Sequence, residues 1–143
     1  MSDGPSVPVV AIARDWIGTP YLHQASRRGV GSDCLGLLRG VWRTLYGAEP
    51  AALPPYSGDW GEPAGDELLW RAMALYFVPA QGENLGDVVL FRMRANGVAK
   101  HLGIVSGLAE QGAFIHAYTG HGVVESALTR PWRRRIVARF QFP

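Results

Sequence analysis

The hydrophobic periodicity of this chain changes once, near Gly86, and that change restricts the possible folds more than any other feature. Before it, apolar residues recur every three to four positions, as on helices packed through one stripe; after it they recur at every second position, as on strands. In "SVPVVAIARDWIG", Val9, Ile12, Ala13, Trp16 and Ile17 follow i, i+3, i+4, i+7, i+8, with Ser6 placed to cap, Pro8 suited to the first turn and Gly18 to the end. A second stripe runs through residues 34, 35, 37, 38, 41, 42, 45 and 46, with Ser32 or Asp33 as the N-cap and Gly36, Arg39, Gly40, Arg43 and Thr44 on the other face. "DELLWRAMALYF" reads as a third helix. "GDVVLFRMR", "VAKHLGIVS", "AFIHAY", "GVVES" and "RIVARFQF" then read as strands, the first two joined by a turn at Asn96-Gly97. Helices first and an antiparallel meander second make an α+β domain.

Between these elements, Pro20 pushes the residue before it out of the helical region, and "LHQASRRGVGS" reads as a loop. Ala48 to Gly65, rich in Pro and Gly, reads as an irregular surface connection. With 143 residues, 48% of them hydrophobic, the chain fits one domain spanning 1–143 with its own core. A single cysteine excludes an intramolecular disulfide. The start "MSDGPSVPVV" lacks the pattern of a signal peptide, and no apolar run approaches the roughly 20 residues that span a bilayer. The expectation is therefore synthesis in the cytoplasm, with no membrane insertion. Net charge is only +2, but Arg27-Arg28 and Arg133 to Arg135 are clustered. Such runs form either a solvated face or a contact with an anionic polymer. No zinc-finger spacing or aromatic RNA-binding strand motif is present, which argues against a nucleic-acid partner.

Cys34 invites two readings. It lies on the apolar stripe of its helix, which suits packing, and in the first turn, where backbone N–H groups and the helix dipole favour a reactive thiolate. The strands bear on this choice. If Gly107 to Gly112 closes a hairpin that sets Ser106 opposite Ala113, His101 and His116 project from the same face as diagonal neighbours. Two same-face histidines count toward the nucleophile, and only together with an ordered set of sequence blocks do they outweigh packing.

Five blocks in order, "WIGTPYLHQ", "GSDCLGLL", "GDVVLF", "HLGIV" and "FIHA", resemble the NlpC/P60 cysteine peptidases over roughly residues 10 to 142. The resemblance implies a papain-like α+β fold, N-terminal helices packed on an antiparallel sheet of about five to six strands, and hydrolysis of cell-wall peptides without metal or cofactor. It matches Cys34 to the nucleophile, His101 to the base that takes the thiol proton, and His116 to the polar residue that orients His101. Tyr21 matches a tyrosine whose hydroxyl stabilises the oxyanion, and Asp33 an acidic neighbour that contacts substrate backbone. His23 and His121 fall in loops as surface residues, and Gly86-Asp87 shapes the turn into the first strand. One departure stands out: Leu35 replaces the serine that usually follows the cysteine, which bears on substrate recognition at that subsite.

The stretch "ARDWIGTPYLHQASRRGVGSDCLGLLRGVWR" looks most like the peptidases of phage tail and gene transfer agent clusters. This implies action at the cell wall within a virion-like particle, docked by a tail tip or hub protein, on peptidoglycan stem peptides at the γ-D-glutamyl bond to a diamino acid. Two other readings keep the fold and change the function: a tail hub component without catalysis, and a papain-like acyltransferase. A zinc site built from Cys34, His101 and His116 is disfavoured, because the helix N-terminus that activates a thiolate is not specific for metal.

Overall fold

The structure, a computed structural model, describes residues 6–51, 60 and 65–143. Helices α1 (Ser6–Arg14), α2 (Cys34–Tyr46) and α3 (Leu68–Tyr76) precede a six-stranded antiparallel sheet, and the short strands β1 (Ser26–Arg27) and β2 (Gly31–Ser32) form a hairpin of their own before α2. The large sheet contains β3 (Val78–Pro79), β4 (Val88–Arg92), β5 (Ala99–Gly107), β6 (Ala113–Tyr118), β7 (Gly122–Ala127) and β8 (Ile136–Gln141), in the order β3-β8-β4-β5-β6-β7. A single turn of helix, α4 (Arg130–Arg134), leads into β8. The expected fold class holds. Much of the connection anticipated over residues 48–65, and the Ser6 side chain with its expected cap, lie outside the described residues. No helix among the described residues is long and apolar enough to cross a membrane.

The sheet is a middle layer with a core on each face. On one face Leu90, Leu102, Ile104 and Ile115 pack against Leu37, Leu38 and Val41 of α2 and Val9 and Ala13 of α1. On the other, Val89, Phe91, Val105, Phe114 and Leu128 form a smaller cluster closed by Trp132 of α4. Each fully buried Leu, Ile or Phe in these layers contributes about 1.5–3 kcal/mol.

Helix α1 ends a turn earlier than its apolar period suggests. Trp16 and Ile17 donate to the carbonyls of Ala13 and Arg14 three residues back, and Ile17 is 43% exposed rather than packed. Gly18, at φ +95°, then donates its N–H to Val123 of β7 at 2.9 Å, which fastens the end of this segment to the sheet.

The far face of α2 also differs from the sequence reading. Gly36 and Gly40, grouped there with Arg39 and Arg43, are buried. A Cβ on Gly36 would sit 1.9 Å from the Ala25 carbonyl oxygen, and one on Gly40 would sit 2.0 Å from the Trp16 ring. These glycines admit the loop before α2 and the end of α1 at backbone distance. Polar periodicity hides this, because a glycine counts as neither apolar nor large. In an exposed helix interior, Gly→Ala stabilises by up to about 1 kcal/mol. Gly40→Ala should instead lower stability by about 1–3 kcal/mol, the cost of overpacking against a ring that cannot retreat, as read by urea denaturation.

The β5–β6 register meets expectation where it matters and fails at its end. Ile104 faces Ile115 and Val105 faces Phe114, but Gly107, not Ser106, faces Ala113. Ser106 is bulged out, and its hydroxyl donates to Glu125 Oε2 at 2.6 Å; the same carboxylate pairs with Arg14 at 2.8 Å. The strands β1, β2 and β3 were not anticipated, because two residues are too few to show a period. Nor was α4, a five-residue helix containing a proline.

Candidate active site

The segment before α2 is folded around one carboxylate. Asp33, only 2% exposed, caps the helix: Oδ1 accepts from the Gly36 N–H at 2.7 Å. Oδ2 accepts from the N–H of Gln24 at 2.8 Å, a residue held at φ +65°. Pro20 and Leu22 bracket Ser32 with backbone bonds of 2.9 and 3.1 Å, and Tyr21 forms a parallel bridge with Ser32. Ser26 donates to the Gly36 carbonyl at 2.6 Å. Chain segments 20–26 and 32–36 are thus laced together immediately before and around Cys34.

Cys34 meets the sheet edge-on. Val105 donates to Asp87, the residue before β4, so odd residues of β5 turn their backbone groups toward β4 and even ones toward β6. Pairing with β6 starts only at Ile104. The backbone of Lys100 and Leu102 therefore faces a gap where β6 has splayed away. The Cys34 thiol occupies that gap, donating to the Lys100 carbonyl at 3.9 Å with the Leu102 amide directed at its sulfur. These two groups flank His101.

From the same point of the splay the histidines extend on the other side of β5. His101 Nε2 lies 2.7 Å from His116 Nδ1, the diagonal contact anticipated from the strand register. His116 Nε2 in turn lies 2.9 Å from Ser126 Oγ. No buried polar side-chain atom among the described residues lacks a partner, so His101 Nδ1, which takes no part in these bonds, faces accessible space. Trp132 packs on both imidazoles, with ring centroids 5.7 and 5.2 Å away, and closes the pair off from below.

The thiol at the N-terminus of α2 thus docks on the backbone of Lys100 and Leu102, on either side of a histidine held by a second histidine. Residues 18–140 match the NlpC/P60 family. The chain belongs to this family. It is 30% identical over 123 residues to the murein DD-endopeptidase MepS/murein LD-carboxypeptidase of Escherichia coli, covering 85% of this chain and 54% of that protein. It is 29% identical over 137 residues to the gamma-DL-glutamyl hydrolase of Bacillus subtilis, covering 95% of this chain and 29% of that one. The chain thus spans about half or less of these relatives. Its fold also matches the NlpC/p60 domain of the peptidoglycan hydrolase SagA, at TM-score 0.60 and 20% identity over 96% of this chain and 98% of that one.

Within this NlpC/P60 site the charge states depart from the sequence reading. The expected thiolate is not the resting form. Burial pushes the Cys34 thiol up to about 12, with the neighbouring Asp33 carboxylate adding to the rise; the amides of Leu102, Leu35 and Cys34 itself pull the other way and lose. Burial likewise lowers His101 to about 3, helped by His116, and His116 to about 4, helped by His121. The resting site is a neutral thiol beside two neutral imidazoles.

The other expected residues are placed as follows. Tyr21 is half-buried and close enough to Cys34 and Asp33 for their charges to raise its pKa after burial does, and its hydroxyl bonds to the Thr119 side chain. Leu35, 7% exposed, belongs to the main core. His121 is exposed and stacked on Tyr118 at 5.2 Å, and His23 lies 3.8 Å from Asp33 Oδ2 at the surface end of the loop. Gly86, at φ +84°, donates to Val105 as the chain enters β4, with Asp87 bound by the Asn84 amide at 3.2 Å. Sequence reasoning missed Ser126 and Trp132. The diagonal rule that joined His101 to His116 also joins His116 to Ser126, since His116 faces Val124 across β6–β7. Trp132 carried no such signal.

These shifts set the pH dependence of stability. Both imidazoles titrate lower in the fold than the ordinary 6.5, so below pH 6.5 the unfolded chain takes up protons that the folded one refuses. Stability present above pH 6.5 should fall as pH drops toward 4. The thiol works at the other end: above its ordinary 9.0 the unfolded chain releases a proton that the fold retains, so stability should fall again as pH rises from 9 toward 12. Urea midpoints across this range should show both limbs, the acid limb shallower in His116→Gln and the alkaline limb shallower in Cys34→Ala.

Proposed function

We propose that this chain is a cysteine peptidase of peptidoglycan stem peptides, acting through an acyl-enzyme on Cys34. The observation that carries this reading is the thiol docked on the open edge of β5 beside a histidine chained to a second one. Substrate entering the cleft brings a carbonyl carbon to Cys34 Sγ. The thiol proton passes to His101 as the carbon–sulfur bond forms, and returns to the leaving amine when the peptide bond breaks; water then repeats the sequence to release the acyl group. The amides at the start of α2 and the Tyr21 hydroxyl are the donors available to the oxyanion. Asp33, with both oxygens on backbone amides, positions the thiol, and its contact with substrate backbone would be through the rim it holds.

The bond we assign is the γ-D-glutamyl bond to the diamino acid. The name of the B. subtilis relative, a gamma-DL-glutamyl hydrolase, supports that choice, while the name of the E. coli one carries DD and LD bonds instead. Delivery as part of a phage-like tail rests on the likeness of residues 13–43 to peptidases of that setting. Particle fractions should then contain this protein, and its recovery only as a free periplasmic species would overturn the delivery reading.

Mass spectrometry of muropeptides after digestion tests the bond. Cys34→Ala should abolish release while remaining folded. His101→Ala should lose about 10²–10⁴ in rate and His116→Ala less, since the first carries the proton and the second orients it. Leu35 offers no hydrogen bond to a free amino terminus, so intact sacculi should be cleaved at least as well as the free tripeptide Ala-γ-Glu-diaminopimelate, and Leu35→Ser should shift preference toward the tripeptide. Strong preference of the unaltered protein for the tripeptide would contradict this subsite assignment.

A further inference from the structure

Proton transfer to His101 fixes the direction of every hydrogen bond beyond it. In the neutral site two directions are open: His101 Nε2–H donates to His116 Nδ1, or His116 Nδ1–H donates to His101 Nε2. Once His101 holds the thiol proton on Nδ1 it carries hydrogen on both nitrogens, and only the first direction survives. His116 must then be bare at Nδ1 and carry its hydrogen on Nε2. That hydrogen points at Ser126 Oγ, 2.9 Å away. His116 is fully buried, so no water stands ready to replace this acceptor, whereas Ser126 is half-buried and can turn its own hydroxyl hydrogen outward.

We infer that Ser126 is a positioning residue of this site: it is the terminal acceptor of a chain running His101 Nε2–H to His116 Nδ1 and His116 Nε2–H to Ser126 Oγ, and it stabilises His101 in its protonated form. The inference deepens the peptidase reading and rests on it for turnover, but the chain itself can be tested without substrate. No covalent bond changes in this step. One proton moves from Cys34 Sγ to His101 Nδ1, and the hydrogens of the other two links only keep their direction.

The test compares the unaltered protein with Ser126→Ala, which deletes the acceptor, and Ser126→Thr, which keeps it on a residue suited to a strand. Two rates are read at neutral pH: cleavage of sacculi, and alkylation of Cys34 by iodoacetamide, which needs the same proton transfer and no peptide. Ser126→Ala should slow both by about tenfold, the worth of one charge-linked hydrogen bond, with KM unchanged, and Ser126→Thr should restore both. ¹⁵N shifts of the imidazoles in the resting protein should show less hydrogen on His116 Nε2 in the alanine variant. Wild-type rates in Ser126→Ala would overturn the inference. So would slower cleavage with unchanged alkylation, which would place Ser126 against the substrate instead. If the unaltered protein fails to cleave sacculi at all, the peptidase reading falls, and the alkylation ratio still decides the role of Ser126.

Discussion

Everything at the working end of this molecule hangs on the Asp33 carboxylate. Its two oxygens take two amides from opposite sides, Gly36 inside the helix and Gln24 in the preceding loop, and so lock the entry into α2 against the segment that carries Tyr21. The Gly36 amide that it satisfies would otherwise be orphaned at the helix start. The lock only closes because Gly36 lets the Ala25 carbonyl approach to where a side chain would stand. With the loop held, Cys34 has one place to go, which is the edge of β5.

That placement is what would let a residue of the helical core and a residue of the opposite sheet face cooperate in the proposed mechanism. Cys34 belongs to the core between α2 and the sheet, while His101, Phe91 and Phe114 lie on the face covered by Trp132. A continuous β5–β6 ladder would separate them by the thickness of the sheet. The splay before Ile104 removes that barrier, since β5–β6 pairing starts only there, and the thiol docks on the Lys100 carbonyl with the Leu102 amide directed at its sulfur. The sheet is thus opened at the point where the proposed chemistry requires passage through it, and sealed again by Trp132 immediately beneath.

How much of this is visible in the sequence depends on the range of the interaction. The three helices and five longer strands follow from apolar period, because each buries one stripe or both faces over many residues. The His101–His116 contact follows from alternation, a geometric rule that tolerates no side-chain detail. The burial of Gly36 and Gly40 could not be read that way, since it depends on what approaches from elsewhere in the chain: the Ala25 carbonyl and the Trp16 ring. The ionisation of Cys34 failed for a related reason. A helix N-terminus argues locally for a thiolate, but burial is a property of the whole fold, and here it outweighs the three amides that favour the anion.

The neutral resting site has a consequence for selectivity. A preformed thiolate would react with many electrophiles, whereas in the proposed mechanism this thiol loses its proton to an imidazole that burial holds well below neutrality. In the proposed mechanism neither partner ionises alone, so the ion pair forms only when its two charges are met together: the sulfur's as it passes to the electrophile, a carbonyl in the peptide reaction, and the imidazole's through His116. Donors at the one end and an acceptor chain at the other therefore act on a single step, and a ligand that fills the cleft without offering the sulfur an electrophilic carbon leaves the proton on sulfur.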